Sequence, residues 1–159
     1  MVKRTLILLF LTAMAAALAG CPKETEEDKV RQVVDSVHKA VEEKKVTEVL
    51  EHVSRSYQDP QGNNYEGIKG IFAFYFLRHR AVSVAIPAID ITVTNDMARA
   101  MFQAVLTGRD GGDAANTTIL PDALGVYQFN VVLKKEDKAW KVLSATWDRI
   151  GEGPSSKQQ

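Results

Sequence analysis

The apolar residues of this chain change their period once, near residue 80, and no other feature limits the fold as strongly. Before that point Val30, Val33, Val37 and Val41 recur at helical spacing. Val46, Val49, Leu50 and Val53 repeat the spacing over a shorter stretch, and Ile68, Ile71, Phe72, Tyr75, Phe76 and His79 form a third stripe. After it the period is two: Val82, Val84 and Ile86 alternate on even positions, and beyond Pro87 the alternation moves to odd ones, Ile89, Ile91 and Val93. A phase switch at a proline predicts a bulge in one strongly bent strand, the device by which a sheet curls around a volume.

Asn95-Asp96 suits a two-residue turn. The returning strand places Ala98, Ala100, Phe102, Ala104 and Leu106 on one face, and the next places Tyr127, Phe129, Val131 and Leu133 on one face. Gly108 to Pro121 between them reads as a long flexible loop, and Lys134 to Lys138 as a charged turn. The last strand, with Trp140, Val142, Leu143, Ala145 and Trp147, is mixed in phase, so it is expected to bury parts of both faces and to expose apolar side chains such as Trp140, Val142 or Leu143. The expected architecture is α+β, with three N-terminal helices packed on a strongly curved four-stranded antiparallel sheet. The third helix, apolar nearly all round, is expected to be covered on more than one side, with Asn63 and Glu66 forming its capping box.

Residues 1–20 differ in kind. Lys3 and Arg4 precede an apolar run from Leu6 to Leu11, which passes into small residues through Ala19, the pattern of a secretory signal. Leu18-Ala19-Gly20-Cys21 resembles the lipobox of bacterial lipoproteins, in which the cysteine sulfur receives a diacylglycerol and the peptide before it is removed. The resemblance implies a mature chain beginning at Cys21, lipid-anchored in the bacterial cell envelope with its domain outside the cytoplasm. Cys21 is the sole cysteine, so a disulfide within the chain is excluded. Each buried acyl methylene contributes about 0.8 kcal/mol, enough for several chains to hold the protein on a membrane without a spanning helix. The expected division is a signal peptide at 1–20, the lipidated residue and a tether at 21–27, a domain at 28–150 and a loose tail at 151–159.

A chain starting at Cys21 carries 18 Lys and Arg against 20 Asp and Glu, and no basic stripe interleaved with aromatic residues. Nucleic-acid binding is therefore not expected. His38, His52 and His79 lack the close spacing that puts two imidazoles on one metal; His38 and His52 read as exposed or helix-boundary residues, and His79 as part of a helix end. With no Gly-x-Ser-x-Gly elbow and no phosphate-cradling glycine loop, neither metal nor cofactor is expected.

The order of elements over residues 28–149, with the closing hairpin Val131 to Val142, resembles the NTF2-like superfamily, including its SnoaL-like and ketosteroid-isomerase-like branches, whose cystatin-like cone encloses a pocket. The resemblance implies pocket positions at Phe72, Tyr75, Phe76, Phe102, Tyr127, Phe129 and Trp147. Asp59-Pro60-Gln61-Gly62 is similar to the Asp-Pro-x-Gly of ketosteroid isomerases, which implies Asp59 as a general base for proton transfer next to a carbonyl. The donors that such chemistry needs have no counterpart: the first-helix tyrosine falls near Asp35, and no acidic donor stands around Leu124 to Gln128. The expectation is accordingly an envelope lipoprotein, non-catalytic, whose cone binds a small apolar ligand or a protein partner, with a sheet-mediated homodimer as one such partnership. An isomerase-like or dehydratase-like enzyme using Asp59 is the alternative.

Overall fold

The computed structural model describes residues 23–110 and 125–150. Cys21, the residues before it, the stretch 111–124 and the tail from 151 lie outside them. Three helices come first: α1 (Glu26–Glu42), α2 (Val46–Glu51) and α3 (Tyr65–Arg78). Five strands follow: β1 (His79–Ala85), β2 (Ile89–Thr94), β3 (Met97–Asp110), β4 (Gly125–Glu136) and β5 (Ala139–Ile150).

Helix α1 starts at Glu26, two residues before the expected domain start at 28, because Thr25 and Asp28 form a reciprocal capping box. Glu26 and Glu27, expected in the tether, are thus helical. The helix ends in a Schellman motif, with Lys45 N–H donating to the Ala40 carbonyl and Lys44 N–H to that of Val41, while Lys44 takes φ 58°. Helix α3 is capped by Asn64, whose side chain accepts from Gly67 N–H, not by Asn63. Asn63 is engaged by Asp59 instead. Only one side of α3 is covered by the described residues: Ile68 and Phe76 are buried, whereas Phe74 is 55% and Leu77 87% exposed.

The sheet has five strands rather than four. β1 and β2 lie end to end along one edge of β3, antiparallel to it, with Ala85 opposite Val105 and Ile89 opposite Phe102. Residues 86–88 therefore face only 103–104, and the one extra residue reverses which parity points inward. Pro87, lacking an N–H, divides the expected bent strand into two at that place. β3 continues to Asp110, paired with His79, so Gly108 and Arg109 belong to the strand, not to a loop. β4 pairs along the other edge of β3, and β5 closes the order β1-β3-β4-β5.

A second irregularity explains the mixed phase of β5. Val132 faces Ser144 but Leu133 faces Val142, which leaves Leu143 as an extra residue. Trp140 and Val142 before the bulge, and Ala145 and Trp147 after it, all reach the inner face. Trp140 is buried in the core, not exposed on the outside. The β4–β5 turn is only Asp137-Lys138, with φ 46° and 70°, so the strands run through the charges expected to form a wider turn. The principal core lies between α1 and the inner face of the sheet, and two smaller clusters join α2 and α3 to it. This is a curled antiparallel half-barrel closed by helices.

Candidate functional site

The inner faces of the curled sheet and the three helices do not fill the volume between them. A cavity of about 190 Å³ remains. α1 contributes Val34, Val37, His38 and Val41; α2 and the loop after it contribute Val49, Val53 and Tyr57; α3 contributes Ile68, Phe72 and Tyr75. The sheet supplies Val84, Ile86, Phe102, Ala104, Leu106, Phe129, Val131, Val142, Ala145 and Trp147. Ala104 of β3 and Ala145 of β5 put small side chains in this wall. Phe102 and Phe129 stack across adjacent strands at 5.3 Å, and Trp147 continues the row at 6.2 Å from Phe129.

Of the aromatic residues expected here, Phe72, Tyr75, Phe102, Phe129 and Trp147 line the cavity. Phe76 does not; it is buried with Ala40 and Val49 in a separate cluster between the helices. Tyr127 lies in the core beyond the cavity, its ring against Gly125, where a Cβ would stand 2.9 Å from the ring carbon Cε2. His38, read from the sequence as exposed or at a helix boundary, is in the wall. The signal that could have found it is its spacing, four residues after Val34 and three before Val41, within the apolar stripe.

Asp59 is 5% exposed yet is not among the cavity's lining residues. The loop carrying it is seated on the β5 bulge: Ser54 N–H donates to the Val142 carbonyl and Gln58 N–H to that of Leu143. Its carboxylate receives the Asn63 backbone N–H at 2.9 Å, the Asn63 side-chain amide at 2.9 Å and the Tyr57 hydroxyl at 3.2 Å. Burial, with the Asp59 charge beside it, pushes the Tyr57 phenol well above its usual range. A general base must reach its substrate's proton. Here the donors holding Asp59 are those of a loop anchor, and Tyr57 is the member of the pair that meets the cavity. His52, at the end of α2, has its imidazole pKa lowered by burial and then by the Lys141 charge, and it lies away from the cavity. Among the described residues no three His, Cys, Asp or Glu side chains gather to hold a metal ion, and no helix is long and apolar enough to cross a membrane.

The sequence matches no protein-family model and no curated protein. Solved structures share the fold. A provisionally assigned dehydratase of the NTF2-like family from Streptomyces avermitilis superposes with TM-score 0.67 at 11% identity, covering 81% of this chain and 99% of that one. An NTF2-like superfamily protein from Salmonella enterica serovar Typhimurium gives 0.66 at 10% identity, covering 84% and 96%. Bd1075 of Bdellovibrio bacteriovorus gives 0.64 at 12% identity over 78% of this chain, which spans only 40% of that protein. The domain therefore has the NTF2-like cone fold.

Proposed function

We propose that the chain is a lipid-anchored envelope protein whose cone binds one small apolar molecule without transforming it. The cavity carries this reading: its wall is almost wholly hydrocarbon, and the carboxylate best placed by sequence to act as a base is turned into its own loop. Apolar cavities of about 150 Å³ stay dry and take up benzene-sized molecules. The anchor rests on Leu18-Ala19-Gly20-Cys21 and the signal pattern before it.

The test has two arms. Titration of the full-length chain with ethylbenzene, followed through Trp147 fluorescence and by calorimetry, should show saturable binding; an absence of binding overturns the ligand reading. Cells fed radioactive palmitate should label the chain but not a Cys21→Ser variant, and an unlabelled wild-type chain overturns the anchor. Turnover of an enolisable ketone at an Asp59-dependent rate would replace the whole reading with the enzymatic one.

The outer sheet face favours a second, compatible role as a docking surface. Val105, Val126 and Ile150 are consecutive cross-strand neighbours on β3, β4 and β5, and Val105 and Ile150 are exposed. A row of apolar side chains across three strands suits a second copy of the chain or another envelope protein. Sedimentation at high concentration should show self-association that Val105→Glu weakens.

A further inference from the structure

The hydrocarbon wall of the cavity is interrupted by one imidazole. The remaining side chains in the lining with a polar atom are Trp147 and two tyrosines; Tyr57 gives its hydroxyl to Asp59, and the Tyr75 ring packs 4.3 Å from that of His79. His38 Nε2 is buried and faces Glu42 Oε1 at 3.5 Å, an ion-pair contact too long for a well-formed hydrogen bond. That oxygen also receives the Val84 N–H at 2.8 Å and the Ser83 hydroxyl at 3.1 Å.

These contacts fix the character of both groups. The Val84 N–H, above all, holds the Glu42 carboxyl below its usual range, so it is an anion at neutral pH. A nitrogen lone pair facing that anion would be repelled, so the ring proton resides on Nε2 and His38 presents an N–H. A buried N–H held only at 3.5 Å from its acceptor leaves room for a closer one, and the adjoining space can supply it.

We infer that the ligand of the cone is a neutral, one-ring-sized apolar molecule bearing a single oxygen acceptor, an alcohol or carbonyl, which takes the His38 N–H. The inference rests on the apolar-ligand reading above and names the chemical class within it. A modest turn of the imidazole carries its N–H from the Glu42 side toward the cavity. The fixed Glu42 anion a few ångströms behind the donor disfavours a carboxylate ligand, because like charges repel strongly where water is excluded. A pure hydrocarbon would fit the space but leave the N–H with only its long contact to Glu42.

Benzyl alcohol and ethylbenzene differ by one hydroxyl in place of a methyl, and calorimetric titration of the full-length chain with each isolates that group. The ratio of benzyl alcohol to ethylbenzene affinity should fall about fivefold in His38→Leu and recover largely in His38→Gln, which restores an N–H. His38→Phe carries the same comparison should the leucine variant not fold. An unchanged ratio, with ethylbenzene still bound, overturns the inference and leaves the apolar-cavity reading standing. Failure of the wild-type chain to bind ethylbenzene overturns the cavity reading and this inference together. Phenylacetate binding more tightly than benzyl alcohol overturns the neutral class.

Discussion

The Tyr57 hydroxyl donates to the Asp59 carboxylate at 3.2 Å, and the two residues occupy opposite sides of the cavity boundary, the phenol ring in the wall and the carboxylate behind it. By this geometry Asp59 holds its own loop. Asp59→Ala leaves the half-buried Asn63 donors and the buried Tyr57 hydroxyl without this acceptor and should cost about 2–3 kcal/mol in urea unfolding. Ethylbenzene affinity of the folded variant should stay within about twofold of wild type, since the wall is unchanged. A stable variant with abolished binding would contradict the assignment.

Ala145 faces the cavity between Val131 and Trp147, and a larger side chain there occupies empty space. Ala145→Leu should raise stability by about 1 kcal/mol, as cavity filling commonly does, while weakening ethylbenzene binding at least about tenfold. Thermal unfolding with and without ligand reads both effects. Destabilisation with unaltered binding would mean that the space lies elsewhere.

Glu26 ties the start of α1 to the closing hairpin, accepting from Lys135 Nζ at 2.7 Å and Trp140 Nε1 at 2.8 Å, with Lys29 on its other oxygen. The Lys135 hydrogen bond leads in holding its carboxyl at about 2, below the ordinary 4.5. A carboxyl depressed on folding stabilises fully above its unfolded value, and that contribution disappears as pH falls from about 4.5 to about 2. The wild-type melting temperature should therefore exceed that of Glu26→Gln at neutral pH and converge on it near pH 2. A difference that persists undiminished at low pH would contradict the clasp.

Asp137 and Lys138 both adopt positive φ in the two-residue turn between β4 and β5, a conformation that asparagine and glycine accept more readily. Lys138→Gly should stabilise the domain by about 1 kcal/mol, measured as a shift in urea midpoint without a change in slope. No change would show that the turn relaxes outside the conformation described.

The helices and most strand faces were legible because burial imposes a period on the residues that face the core. The valine stripe of α1 and the alternation of β3 required only that rule. The strand count was less legible. The parity switch at Pro87 marks one extra residue, but whether the chain bends through it or divides is settled by its pairing with the uninterrupted β3. The mixed phase of β5 likewise became a bulge at Leu143 only once β4 supplied a register.

Most of the aromatic residues that line the cavity were legible in the sequence, whereas the place of the polar ones was not. Phe76 and Tyr127 belong to the right kind of residue on neighbouring positions, but packing depth separates them from the cavity. Asp59-Pro60 is a loop motif whose chemistry depends on where its carboxylate is aimed. Asn63, three positions before Glu66, lies one residue further than Asn64 from the start of α3, and its choice of partner depends on the loop's seat on β5.

By itself the sequence determined the α+β order, the helix-to-strand boundary and the likeness of residues 18–21 to a lipobox, since these are set by local spacing and residue chemistry. The tertiary structure alone decided that the cone keeps a cavity, that Asp59 faces its own loop and that His38 stands in the wall. The physical reason is that spacing along a chain records which side of an element is buried, whereas how closely two buried sides meet depends on bulges and small residues contributed by distant strands.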